Sequence, residues 1–161
     1  METALQVATT GGIVLVDERK PELSYRLLEE RGRQQQPVLC VTREPPERVS
    51  RRHPMPSAEH LWLISGSGNG SVSPNRLDAL LRSINGFVRA HPDGAVLLDG
   101  IELLMIMNSY EDVRAFLCSL QSSLLKGTTE CLIPIDTRTL TSRELAEMRT
   151  AFPMVRGSSS G

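Results

Sequence analysis

Lysine is almost missing: Lys20 and Lys126 are the only two, and arginine supplies the rest of the 18 Lys and Arg residues. No G-x-x-x-x-G-K-[ST] run occurs, so no loop of glycine amides with an adjoining ammonium group exists to surround a triphosphate. Aromatic residues make up 4% of the chain, too few for base-stacking platforms, and a net charge of -1 leaves no basic footprint for nucleic acid or an anionic membrane. Cys40, Cys118 and Cys131 are an odd, widely spaced set without C-x-x-C, a poor disulfide framework, so a reducing cytoplasm is the expected compartment. His53, His60 and His91 stand singly, with neither H-E-x-x-H nor Cys/His ligand spacing, and no metal or cofactor is expected. No apolar run approaches the length of a membrane helix, and METALQVATTGG lacks the basic-then-apolar order of a signal peptide.

What is present suits one domain. A chain of 161 residues with 40% apolar residues can bury a single core without staples. Residues 1–10 are expected to be a flexible N-terminus, 11–154 a single α/β domain, and 155–161, ending in GSSSG, a flexible tail or cloning remnant. Five short apolar runs, IVLVD, PVLCVT, HLWLIS, AVLLDG and ECLIPID, alternate with helical segments. The helical segments are SYRLLEERG after Pro21, PPERVSRRH, a stretch from Pro74 to His91 with Leu77, Leu80, Leu81, Ile84, Phe87 and Val88, Tyr110 to Lys126, and SRELAEMRTAF capped by Thr141 or Ser142. GSGNGSVS reads as a flexible loop. Strands alternating with helices predict a three-layer α/β sandwich, Rossmann-like in its wrapping, around a mostly parallel five-stranded sheet. Ligands of such sheets lie at the carboxyl ends of the strands, near a topological switch point.

Any chemistry is therefore expected at the strand ends. After the first strand comes VDERKPELS, with no glycine and with Asp17 and Glu18 positioned to repel phosphate. Ser67 lacks the G-x-S-x-G setting of a hydrolase nucleophile. The third strand ends in Ser65 and the fifth in Pro134-Ile135-Asp136, so the aspartate and lysine of a phosphoacceptor receiver site are missing. Asp99 and Glu102 in AVLLDGIELL match the acidic strand that holds Mg²⁺ in P-loop ATPases; the structural alternative is that Asp99 caps a helix starting near Ile101 while Glu102 complements its dipole. Arg43, Arg48, Arg51 and Arg52, interleaved with Glu44 and Glu47, read as a solvated face or an anion site.

Apolar surface is the remaining means of recognition. Ile101, Leu103, Leu104, Met105, Ile106 and Met107 run without the polar interruptions of a surface helix, so the segment is either a core helix or a partner-binding patch. As a patch it would offer Ile101, Leu104, Met105 and Met107, followed by Asn108 and Tyr110.

GGIVLVDERKPELSYRLL, PVLCVTREPPERV, WLIS, SPNRLDALLRSINGFV, AVLLDGIELLMIMNSYEDVRAFLCSL and LIPIDTRTLTSRELAEM together resemble the domain-of-unknown-function family 835, found in prokaryotes alone or beside sensor and signalling modules. The resemblance implies a core similar to RecA- and KaiC-like ATPases with the phosphate loop lost and LLDG at their metal-binding strand. It carries over Thr42, Arg43, Asp99, Glu102 and Asn108 as candidate surface residues. Where family members carry Tyr and an Asn-Gly pair, this chain has Leu103 and Asn108-Ser109. The expected function is a non-catalytic regulatory or scaffold module in prokaryotic signal transduction, of two-component or polarity type, that binds another protein or a second copy of itself. The alternative is a degenerate nucleotide- or metal-binding enzyme that uses Asp99, Glu102 and Arg43.

Overall fold

The computed structural model describes residues 11–66 and 68–157, so the expectations for residues 1–10, Ser67 and residues 158–161 lie outside it. The strands are β1 (Gly12–Asp17), β2 (Val38–Thr42), β3 (Glu59–Leu63), β4 (Ser71–Val72), β5 (Ala95–Asp99), β6 (Glu130–Ile135) and β7 (Met154–Arg156). The helices are α1 (Glu22–Arg33), α2 (Pro46–Arg52), α3 (Leu77–Ala90), α4 (Ile101–Met107), α5 (Tyr110–Leu124) and α6 (Ser142–Ala151), with a 3₁₀ turn at Thr137–Thr139. The sheet runs β4-β3-β2-β5-β6-β1-β7, and every neighbouring pair is parallel.

The sheet thus has seven strands where the sequence predicts five. β4 lies inside the segment read as a loop, its two residues pairing Ser71 with Trp62 and Val72 with Leu63. β7 pairs Met154, Val155 and Arg156 with Leu15, Val16 and Asp17, so the domain continues past the boundary set at residue 154. Both additions are edge strands of two and three residues, too short to show a period.

Alternation along the strands separates two apolar layers. Val14, Val16, Val38, Cys40, Ala95, Leu97 and Leu132 face Leu23, Tyr25, Leu27 and Leu28 of α1 and Val49 of α2. Ile13, Leu15, Leu39, Val41, Val96, Leu98 and Ile133 face α3, α4, α5 and Met148 of α6. On α5, Val113, Phe116, Leu117, Leu120 and Leu124 form the buried stripe that its spacing predicts. Full burial of each large side chain contributes roughly 1.5–3 kcal/mol. Ser109 caps α5 by accepting from the Asp112 amide at 3.0 Å, and Thr141 with Glu144 closes a capping box on α6.

Chain order locates the switch point of the sheet. From β2 the chain moves outward to β3; from β5 it moves the other way, to β6. The carboxyl ends of β2 and β5 are neighbours whose onward connections diverge, the topological switch point of an open parallel sheet. Beside them the sheet parts: β5 and β6 stay in register only as far as Leu97 and Leu132, whereas β6 and β1 continue to Ile135 and Asp17. Pro134, which has no N–H to donate, lies beyond Leu132, where β6 has parted from β5 and pairs with β1 alone.

Candidate functional site

Asp99 ends β5 at the switch point, in register with Thr42 of β2. By alternation its side chain faces α1, where the Tyr25 hydroxyl donates to Oδ2 at 3.1 Å. Asp99 is 4% exposed, and burial, only partly opposed by the Arg43 charge and the Tyr25 bond, raises its carboxyl from 3.8 to about 6. Burial and the Asp99 charge push the Tyr25 phenol up far beyond its ordinary range, so it stays a donor. The Tyr25 ring stacks on the His53 imidazole at 4.1 Å between centroids and 6° between planes, and His53 Nδ1 lies 3.5 Å from Glu29.

This geometry corrects the capping expectation for Asp99. Gly100 is the N-cap of α4, with φ 152° and no side-chain cap bond. The Asp99 carboxylate turns instead to α1, while its carbonyl accepts from the Arg43 amide at 3.2 Å. Glu102 turns away as well, accepting from the Asp136 amide at 2.8 Å and so tying α4 across the parting of the sheet to the end of β6. The two carboxylates proposed to share a metal thus serve different partners, and among the described residues no group of three or more His, Cys, Asp or Glu could hold a metal ion.

The β1–α1 turn holds a site that sequence reasoning misread. Glu18 is 2% exposed, and its carboxylate accepts from the amides of Glu22 at 3.2 Å, Leu23 at 2.9 Å and Ser24 at 3.0 Å, and from the Ser24 hydroxyl at 2.6 Å. Helix N-termini hold anions because their first amides lack partners and the dipole favours negative charge. Glu18 does not repel an anion here; it is the anion. Gly157 closes over it, for a Cβ there would stand 2.6 Å from Glu18 Cβ and Oε1. The available signal was an acidic residue four positions ahead of a helix start, read for its charge rather than as a cap.

Other candidates divide by burial. Ile101 and Leu104 are 0% exposed, so these two belong to the core and not to a partner-binding surface. Positions i and i+3 of α4 turn inward onto β6 and α5, and Leu103 and Met105 are partly buried against the same cluster. Ile106 at 79% and Met107 at 43% exposure form the apolar surface that remains. Asn108 is structural: its Nδ2 donates to the carbonyls of Pro74 and Leu104, both at 2.9 Å, joining the approach to α3 with the end of α4. Tyr110 donates to Glu147 Oε1 at 2.9 Å and to the Glu144 carbonyl, which pins α5 to α6.

Thr42 is fully buried, its hydroxyl donating to the Glu44 carbonyl at 2.8 Å, so it too is no surface residue. Arg43 is exposed, and its carbonyl accepts from Trp62 Nε1 at 3.3 Å. Arg52 forks onto Glu44 at 2.8 and 3.2 Å and Arg48 lies 3.7 Å from the same residue, which makes α2 the solvated charged face of the two readings. At the opposite end of the sheet Arg31 and Glu130 form a buried ion pair between α1 and β6 that local spacing could not reveal.

No helix of the described residues is long and apolar enough to cross a membrane. A search of curated proteins gives no match. The family model described as "Protein of unknown function (DUF835)" matches residues 17–152, from the last residue of β1 to the residue after α6 and so through most of the elements above, and the chain belongs to that family.

Proposed function

We propose that this chain is a non-catalytic regulatory or scaffold module of prokaryotic signal transduction, acting in the cytoplasm by contact with another protein. The observation that carries the reading is the Glu18 carboxylate, seated on the first amides of α1 where a nucleotide-binding βα unit holds phosphate. A fold of the RecA, KaiC or Rossmann kind whose anion position is filled by its own side chain is left to act through its surface, in the manner of a pseudo-ATPase. The surface best suited to a protein partner or a second copy is the exposed C-terminal end of α4, where Ile106 and Met107 leave apolar side chains open to solvent. The rival reading, a degenerate nucleotide- or metal-dependent enzyme, asks Asp99 and Glu102 to converge on one ligand, and their hydrogen bonds run to α1 and to β6.

Two measurements test the proposal. Calorimetric titration with ATP or GTP and Mg²⁺ should give no heat of binding; saturable binding that Asp99→Ala abolishes overturns it in favour of the enzyme. Ile106→Asp and Met107→Asp should leave the fold intact and abolish recovery of a partner, or self-association in size-exclusion chromatography. Association unchanged in both variants removes α4 as the contact surface.

A further inference from the structure

The glycine-rich turn that leads into β4 carries a reactive pair that the proposed function leaves unused: Asn69 followed by Gly70, both exposed. Four asparagines occur in the chain, and three of them are restrained. Asn75 accepts from the Ser73 hydroxyl at 2.6 Å, while the amide of the next residue, Arg76, donates to the Ser73 carbonyl at 3.0 Å. Asn85, which also precedes a glycine, lies inside α3, where the Gly86 N–H belongs to the helical ladder and the side-chain oxygen is buried. Asn108 is held by the Pro74 and Leu104 carbonyls. Asn69 differs: among the described residues neither its side chain nor the Gly70 N–H has a hydrogen-bond partner. Gly70 has φ 82°, and a Cβ there would meet nothing nearer than the His60 carbonyl at 4.0 Å, so its nitrogen is uncrowded. The turn is closed by Ser71, whose N–H and hydroxyl donate to the Gly68 carbonyl at 3.3 and 2.9 Å.

We propose that Asn69 is a site of spontaneous deamidation, and that the isoaspartyl product frees β4 from the edge of β3. The Gly70 nitrogen, on giving its proton to solvent, attacks the side-chain carbonyl carbon Cγ of Asn69. A nitrogen–carbon bond closes a five-membered imide, and the carbon–nitrogen bond of the side-chain amide breaks to release ammonia, which carries off a proton. One water then opens the imide. Cleavage of the new bond leaves aspartate; cleavage of the original peptide bond leaves the chain running through Cβ and Cγ as isoaspartate, one backbone carbon longer. Ring closure requires the Asn69–Gly70 peptide to swing toward the side chain, which an exposed turn containing Gly68 and Gly70 permits and a helix forbids. The inserted carbon falls beside the bond on which β4 depends, in which the Gly70 carbonyl accepts from the Trp62 amide at 2.8 Å. β4 adds the bond from the Ile64 amide to the Val72 carbonyl at 3.1 Å and is two residues long, so displacing the Gly70 carbonyl detaches the strand and bares the outer edge of β3.

Ageing of the full chain in mildly alkaline buffer at physiological temperature, followed by peptide mapping with mass spectrometry, tests the site. The Asn69 peptide should gain one mass unit and split into aspartyl and isoaspartyl species at least about tenfold faster than the Asn85 peptide. In urea, where α3 no longer protects Gly86, the two Asn-Gly pairs should convert at similar rates. Asn69 left intact in the folded protein over a time that converts it in urea, or Asn85 converting as fast in the folded protein, overturns the proposal. Asn69→Gln, which would have to close a six-membered ring, should stay unmodified; a mass gain of the same rate there refutes the imide route. In the isoaspartyl form the Trp62 and Ile64 amides should exchange with deuterium at least about tenfold faster than in fresh protein, with the β2 and β5 amides unchanged. Unaltered exchange at Trp62 and Ile64 refutes the release of β4. Asn69→Asp adds the charge without lengthening the backbone and should keep both amides protected; exchange as fast as in the aged protein would assign the effect to charge and likewise refute the release.

Discussion

Replacing Glu18 by alanine withdraws one carboxylate from four donors at once. Three are backbone amides of the first turn of α1, and those of Leu23 and Ser24 belong to buried residues. A lost N-cap costs roughly 0.5–2 kcal/mol, and each buried donor left without a partner costs about 1–3 kcal/mol. These do not add in full, because water can enter beside a shortened side chain, so the expected loss is about 3–4 kcal/mol. Against a total stability of roughly 5–15 kcal/mol for a domain, that lowers the urea midpoint severely without altering the fold. The assay is equilibrium urea unfolding followed by far-UV circular dichroism and by the fluorescence of Trp62, the single tryptophan. Glu18→Gln keeps an acceptor of the same shape without the charge, and should cost about half as much as alanine. A Glu18→Ala protein within about 1 kcal/mol of wild type would refute the assignment of Glu18 as the anion of α1.

Arg31→Met leaves Glu130 buried without its partner and should cost about 3–5 kcal/mol in urea unfolding, while adding Glu130→Leu should restore most of the loss; a double variant no better than the single one contradicts this. Gly100→Ala places a Cβ at φ 152°, 2.9 Å from Leu63 Cδ1, and should lower stability by about 1–3 kcal/mol; a melting temperature equal to wild type would show that the turn into α4 tolerates a side chain. The shift of Asp99 from 3.8 to about 6, at about 1.4 kcal/mol per unit, means that wild type loses up to about 3 kcal/mol as pH rises from about 4 to about 7. Asp99→Asn should be insensitive to that rise and more stable near neutrality, which thermal melts across the range decide.

The sequence was most readable where one face of a long helix is buried by many residues. The stripe of α5 and the Leu80, Ile84, Phe87 and Val88 face of α3 follow from spacing alone. The same logic failed on α4, because six apolar side chains in seven residues leave Glu102 as the single polar mark, and its carboxylate is itself drawn to the Asp136 amide, so it does not say which face turns inward. Only packing decides that Leu104 is buried and Ile106 exposed. β4 and β7 escaped notice because strands of two or three residues at sheet edges have neither period nor a continuous apolar run. Of the candidate site, Asp99 was legible as a strand-end carboxylate, but its partner Tyr25 lies 74 residues away and was legible only as part of an amphipathic helix. Glu18 was visible and misjudged: its charge was weighed against a phosphate from outside rather than against the unpaired amides that follow it.

The placing of β1 between β6 and β7 has a consequence for biosynthesis. Most of the chain separates β1 from these neighbours, so the apolar ribbon GIVLVD leaves the ribosome long before either flank exists to cover it. Such a domain cannot settle piecemeal from its leading end. It must be completed in one late step, and until then the nascent ribbon is a natural target for chaperones and for aggregation.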